Sequence, residues 1–246
     1  MKPDISIVIP AYNESDRLGV PLATIIAYAL NSSMTIEIVV VDDGSSDDTA
    51  HVAESAFAAC PDLPSNVIRY DENRGKGFAI KTGLLAASAD IALFTDADLS
   101  TPIDEMPKLT DPIKSGKFDL TFGSRALDRS LIGTHQPWTR EQGGRVVNLM
   151  IRTMSRLNFA DTQCGFKAFN MVKFRPLLDL MTIDRFGFDI EFLFVANHNS
   201  LRLAEIPVRW NDVAGSKVSP ARDTWRMIRE LMQIRRNATR GLYDKN

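Results

Sequence analysis

The stretch Phe94-Thr95-Asp96-Ala97-Asp98-Leu99-Ser100 decides how this chain is read. An apolar run, Ile91-Ala92-Leu93-Phe94, leads straight into two aspartates one residue apart. Side chains alternate faces along an extended segment, so Asp96 and Asp98 project the same way. Two neighbouring carboxylates repel each other unless a cation lies between them. At the C-terminal end of a buried strand they form half of a site for Mg²⁺ or Mn²⁺, ions that take oxygen ligands and complete their shell with substrate phosphate and water. The same pair also occurs in ordinary solvated turns, so the surrounding sequence has to decide.

Outward from that stretch, the first half alternates strand and helix. Ile5 to Pro10, Ile36 to Val41, Val67 to Tyr70, Asp90 to Thr95 and Phe118 to Phe122 read as strands. Ala23 to Leu30, Asp47 to Ala59, Gly77 to Ala87 and Ile103 to Lys114 read as helices. Fully apolar strands separated by helices predict an α/β fold, a mostly parallel central sheet with helices on both faces. Ligands of such sheets bind beyond the carboxyl ends of the strands. The polar clusters Tyr12-Asn13-Glu14, Asp42-Asp43, Asp96/Asp98 and Ser124-Arg125 all fall at those ends. That convergence favours a metal-assisted site over a solvated turn.

The second half is less regular. Gly123 to Trp138 reads as a mobile loop, and Gly144 to Leu157 as an amphipathic helix with Val147, Met150, Ile151, Met154 and Leu157 on one side. Phe186 to Asn197 is expected to be helical, with Phe186, Phe188, Phe192 and Phe194 as core, and Ala204 to Trp210 a strand. Met171 to Met181 reads as core packing, and Gly215 to Pro220 as a flexible loop suited to phosphate. Arg222 to Arg240 reads as a basic amphipathic helix with Trp225, Ile228, Leu231 and Met232 along one stripe, fit either for an anionic membrane surface or for packing on the core. The expected division is one domain over residues 1–220 and a C-terminal helix and tail over 221–246.

Composition excludes several classes. A chain of 246 residues, 44% hydrophobic, can bury one substantial core. A formal net charge of −2 argues against general nucleic-acid binding. Two cysteines, Cys60 and Cys164, make no disulfide framework and suit a reducing compartment. The N-terminus lacks signal-peptide features and no apolar run reaches the length of a membrane span. The expected location is the cytoplasm, with at most peripheral attachment to the cytoplasmic face of a membrane. His51, His135 and His198 have no metal-ligand spacing. Gly75-Lys76-Gly77 opens like a dinucleotide fingerprint, but Ile80 stands at the third glycine position; no P-loop is present either.

Seven motifs in order carry a family resemblance. Val8-Ile9-Pro10-Ala11-Tyr12-Asn13-Glu14, Val41-Asp42-Asp43-Gly44-Ser45, Asn73-Arg74-Gly75-Lys76-Gly77, Asp96-Ala97-Asp98, Gly123-Ser124-Arg125, Asp161 to Lys167 and Gly215-Ser216-Lys217 resemble family 2 glycosyltransferases of the GT-A (nucleotide-diphospho-sugar transferase) fold. The likeness covers roughly residues 5 to 225 and is strongest to the dolichyl-phosphate glucosyltransferase and mannosyltransferase branch, the glucosyl members above all. It implies inverting transfer from a nucleotide sugar to a polyprenyl phosphate. It implies that Pro10, Tyr12, Glu14 and Asp42 hold the nucleoside, with Asp42 at the base, and that Asp96 and Asp98, with Ala97 between them, bind Mg²⁺ or Mn²⁺ and the donor diphosphate. By the same resemblance Arg125, Arg209 and Lys217 embrace the donor phosphates and Arg140 meets the acceptor phosphate. Ser100 stands where mannosyl relatives carry a glutamine ligand.

The chemistry agrees. Charge builds on the departing nucleotide as the anomeric carbon becomes cationic, and a metal ion with nearby cations offsets it. A sugar hydroxyl would need a base, whereas a lipid phosphate is already anionic near neutral pH. Arg125, Arg129, Arg140 and Arg145 suit phosphate positioning, with catalysis expected of Asp98, Arg125 and Arg140. Asp189 and Glu191, the obvious base candidates of the second half, are expected to be structural. UDP-glucose is the expected donor, with GDP-mannose its competitor. Alternative readings are transfer to a soluble or glycan hydroxyl and a sugar-nucleotide-binding protein without transfer activity.

Overall fold

Alternation of faces along fully buried strands explains why one sheet carries two cores. In β1 (Ile5–Ala11) every residue is buried. Ile5, Ile7 and Ile9 join one apolar cluster, while Val8 joins the other. The same split divides Leu93 from Ala92 and Phe94 in β4 (Ile91–Thr95). A period of two puts successive side chains on opposite faces, so a strand apolar at every position needs helices on both sides. The computed structural model describes residues 2–134, 148, 150–155, 157–213 and 220–245, the side chains of 220–224 excepted.

One face is covered by α1 (Gly19–Leu30), α2 (Thr49–Ala58) and α4 (Met106–Lys114), through Leu22, Ile25, Ala53, Phe57, Leu109 and Ile113. The other is covered by α3 (Lys76–Ala86), the helical residues 150–155 (α5), α6 (Met171–Phe174), α7 (Phe188–His198) and α8 (Pro220–Thr239). α3 lies unusually close to the sheet: a Cβ at Gly83 would stand 2.3 Å from Val8 Cγ1, so only glycine fits there.

The seven-stranded sheet has the order β3-β2-β1-β4-β7-β5-β8. It adds β2 (Ile36–Asp42), β3 (Ser65–Arg69), β5 (Leu120–Ser124), β7 (Phe166–Asn170) and β8 (Leu203–Pro207). Pairing is parallel throughout except at β7, which runs antiparallel between β4 and β5. Chain direction away from β1 reverses between β2 and β4, so the crevice at the carboxyl ends of β1 and β4 is the sheet's switch point, where α/β folds bind ligands.

Four local expectations change. Phe166-Lys167-Ala168-Phe169 was not foreseen as a strand; a lysine at its centre hides the pattern, and Lys167 is nonetheless fully buried. The segment read as a loop from Gly123 is ordered to Thr134: β5 runs to Ser124, a 3-10 turn spans Arg129–Leu131, and β6 (Ile132–Thr134) pairs with β9 (Trp210–Asn211). In α8 the stripe facing the core is Met227, Leu231 and Ile234, joined by Tyr243, rather than Trp225, Ile228, Leu231 and Met232; Trp225 and Met232 are 63% and 50% exposed. Both stripes have helical spacing, and the tertiary contact selects between them. Of the four phenylalanines around α7, Phe188 and Phe192 are core, Phe194 packs against it, and Phe186 is exposed. Among the described residues no helix is long and apolar enough to cross a membrane.

Candidate active site

β4 delivers the two aspartates to the switch point through a tight turn. Leu99 N donates to Asp96 O at 3.2 Å, and Leu99 takes a φ of 50°, a left-handed conformation that costs a non-glycine residue about 1 kcal/mol. Ser100 N donates to Asp98 Oδ1 at 3.0 Å, fixing that carboxylate. Ser100 itself is buried, and its carbonyl accepts from Asn211 N at 2.8 Å.

Asp96 is held from two sides. Its backbone N donates to Gly165 O at 3.1 Å, and Lys76 Nζ lies 2.6 Å from its Oδ1. Oδ1 accepts no well-directed hydrogen bond. Gly165 backs directly onto the carboxylate: a Cβ there would lie 2.0 Å from Asp96 Oδ2. Among the described residues no three His, Cys, Asp or Glu side chains form a metal cluster. Two carboxylates at the rim of the switch-point crevice, each with oxygen left to give, fit an ion of the Mg²⁺ class, which usually keeps several waters in its shell.

The end of β1 and β2 forms the adjoining wall. Ala11 pairs with Asp42, and Pro10 with Val41. Asp42 is buried; its Oδ1 accepts from Ser45 N at 3.0 Å, while its Oδ2 has no hydrogen-bond partner and lies 3.5 Å from Arg69 Nε. An acceptor left over beside the switch point is what an N–H of a base would use. Its neighbour Asp43 has none to spare: Tyr70 Oη, Asn73 Nδ2 and the amides of Arg74 and Gly75 all donate to it. Tyr12 is 41% exposed at this rim. Glu14 turns back to Arg17, accepting Nε at 2.8 Å and Nη2 at 2.7 Å.

The cations are less free than their sequence positions suggest. Arg125 forks onto Asp161, Nε to Oδ2 at 2.6 Å and Nη2 to Oδ1 at 2.8 Å. Burial alone would raise the Asp161 pKa, but the Arg125 charge and hydrogen bonds hold it below the usual carboxylate range. Asp161 is in turn placed by Glu205 on β8, which accepts from the amides of Ala160 and Asp161. Arg209 pairs with Glu105 at 2.6 Å and Asp104 at 2.5 Å. Reaching a donor phosphate would require it to leave both. Arg140, Arg145 and Lys217 lie outside the described residues, as does the expected Gly215 to Pro220 loop except for Pro220, which begins α8.

Neither acid of α7 is available as a base. Glu191 is fully buried and accepts from Thr182 N and Oγ1, Ile183 N and Tyr243 Oη. Asp189 is buried against Lys167 Nζ, which also donates to Cys164 O at 2.7 Å. Cys164 is packed beneath Gly165, and burial with the nearby Asp161 charge pushes its thiol up to about 12, so it is inert near neutral pH. Lys76, Asp161, Gly165 and Glu205 were given no role by the sequence; three of them stand inside quoted motifs, yet only folding shows what each touches.

Comparison with known proteins agrees with this geometry. Residues 6–178 match Glycosyl transferase family 2. A Dolichyl-phosphate beta-glucosyltransferase of Drosophila melanogaster is 33% identical over 242 residues, covering 94% of this chain and 74% of that protein. One of Homo sapiens is 31% identical over 245 residues, with the same coverage of both chains. Among solved structures, glucosyl-3-phosphoglycerate synthase of Mycobacterium tuberculosis in complex with Mn²⁺, UDP-glucose and phosphoglyceric acid superposes with a TM-score of 0.65 at 21% identity, covering 94% of this chain and 78% of that one. At that identity the likeness speaks for the GT-A fold alone.

Proposed function

Because the chain belongs to glycosyl transferase family 2, we propose that it moves glucose from UDP-glucose to a polyprenyl phosphate of the dolichyl type, inverting the anomeric carbon, with Mg²⁺ or Mn²⁺ at Asp96 and Asp98. The observation that carries the acceptor class is the engagement of Asp189 and Glu191. Glu191 spends its oxygens on four internal donors and Asp189 is closed against Lys167. A hydroxyl acceptor needs a base at the reacting oxygen. A phosphate monoester, with its second pKa near about 6, arrives ionised and needs only to be oriented. The curated relatives named above, dolichyl-phosphate glucosyltransferases, support the same acceptor and the same sugar.

In this reading Asp42 Oδ2 accepts from the donor base, with Pro10, Tyr12 and Glu14 around the nucleoside. Asp96 and Asp98 hold the ion, which when bound offsets the charge that grows on the departing diphosphate. Asp161 and Glu205 keep Arg125 at the rim, where its guanidinium faces the donor phosphates. Arg140 and Lys217 are proposed to meet the acceptor and donor phosphates, and Arg209 to do so only after leaving Asp104 and Glu105. Access to a lipid acceptor falls to α8, whose outward row of Trp225, Arg229, Met232 and Arg236 is exposed, as is Arg240 just beyond its end. Such a row suits peripheral contact with an anionic bilayer face.

The test is a donor and acceptor screen: labelled UDP-glucose or GDP-mannose with a short polyprenyl phosphate and Mg²⁺. Label from UDP-glucose passing into the chloroform phase is the expected result. Label confined to water-soluble glycan products, or transferred better from GDP-mannose, would refute the assignment.

A further inference from the structure

Lys76 is the first residue of α3, where the helix dipole disfavours a positive charge. Its location is not accidental. A Cβ at Gly75 would stand 2.4 Å from Asp184 O, and one at Gly77 2.6 Å from both Ile183 O and Phe188 Cβ, so the helix start is pressed onto the loop that leads into α7. Gly75 N is further tied to Asp43 Oδ2 at 2.9 Å. The backbone thus has little room to shift, and it delivers the ammonium to Asp96 Oδ1 at 2.6 Å, both side chains being about one-third exposed. The other buried acid nearby, Asp189, already has its own cation in Lys167. Asp98 is pinned by an uncharged donor, Ser100 N. Among the described residues Lys76 is the one cation in ion-pair contact with the two aspartates, and it sits on one of the oxygens a divalent ion could use.

The geometry points to Lys76 as a built-in stand-in cation: it neutralises Asp96 while no metal is bound, and a divalent ion that takes Oδ1 would displace it. The inference rests on the proposed metal reading of Asp96 and Asp98. An ammonium and a divalent ion cannot both sit against one carboxylate oxygen without strong repulsion, so binding of the ion and release of Lys76 are one exchange. The device keeps two neighbouring carboxylates from repelling each other in the resting protein, and it lowers affinity for metal alone.

Two measurements test it. Mn²⁺ added without nucleotide is followed by loss of the free-ion EPR signal. Lys76→Met is expected to bind roughly five- to tenfold more tightly than the unaltered protein, since the pair's net negative charge is restored. In the unaltered protein, mass spectrometry of brief amine acylation should show Lys76 modified several-fold faster as Mg²⁺ is titrated in, and Asp96→Asn should show that fast rate with no metal. Equal or weaker Mn²⁺ binding by Lys76→Met, beside clear binding by the unaltered protein, overturns the exchange and leaves the metal site standing. Binding by neither protein overturns both. Should Lys76→Met not fold, Lys76 acylation indifferent to Mg²⁺ overturns the inference by itself.

Discussion

Gly165→Ala adds a single methyl group at the point where Asp96 is backed by the entry to β7. The new Cβ would lie 2.0 Å from Asp96 Oδ2, 2.3 Å from Cγ and 2.5 Å from Oδ1. Non-bonded heavy atoms settle at about 3.5 Å, so the carboxylate must retreat by roughly 1.5 Å. The side chain can do so, because Asp96 is 30% exposed and its strongest partner is the mobile end of Lys76. The fold gives up little: Asp96 N keeps its bond to Gly165 O, and the weakened ion pair is worth at most about 1 kcal/mol at such exposure. Alanine also restricts the unfolded chain, which returns a comparable amount. The melting temperature is therefore expected within about 3 °C of the unaltered protein. The site gives up much more. A misplacement of this size at a positioning group costs on the order of a hundredfold in rate, about 2.7 kcal/mol of transition-state stabilisation. The assay is kcat/KM for label transfer from UDP-glucose at saturating Mg²⁺, beside a calorimetric melt. Undiminished kcat/KM in a folded Gly165→Ala protein would refute the placement of Asp96 in the reaction. A large fall in melting temperature would refute the claim that only the carboxylate yields.

Three further outcomes follow from the geometry. Asp98→Ala should lower transfer by a thousandfold or more on the scale of a lost electrostatic stabiliser, with circular dichroism unchanged, and excess EDTA should silence the unaltered enzyme reversibly. Glu191→Gln places an amide where Thr182, Ile183 and Tyr243 all donate, so about 2 kcal/mol of stability should be lost, roughly 5 °C in the melt; the pH–rate profile should keep its shape, which a lost general base would not allow. Asp119 is buried among Arg202 Nε and Nη2 and Lys173 Nζ, and the Arg202 hydrogen bonds above all, against burial, hold its pKa far below the ordinary carboxylate range. A depressed folded-state pKa gives stability that is complete above the unfolded value of about 4 and is lost as pH falls below it. Urea unfolding between about pH 5 and pH 2 should therefore show a steep acid limb that Asp119→Asn flattens, while lowering stability at neutral pH.

The sequence by itself determined the elements and the rim. The strands foreseen from Ile5, Ile36 and Asp90 are apolar at nearly every position, and that local composition permits little except burial on both faces. The polar clusters after β1, β2, β4 and β5 follow from where those strands stop, so Asp42, Asp96, Asp98 and Arg125 were legible as one edge of one sheet. Helix existence in the first half was equally local.

Only the tertiary structure decided what each of those side chains touches. β7 was hidden because antiparallel insertion between β4 and β5 depends on partners more than forty residues away, while its own Phe166-Lys167-Ala168 pattern is broken by a charge that Asp189 neutralises. The same insertion brings Gly165 against Asp96 and Asp161 against Arg125. Arg209 read as a phosphate ligand, and only the fold shows that Asp104 and Glu105 hold it first. In α8 two stripes of helical spacing competed, and the shared core of that face chose Met227, Leu231 and Ile234. Periodicity is a property of a segment, whereas a contact belongs to two segments at once; the chain writes the first locally and fixes the second only when the whole sheet closes.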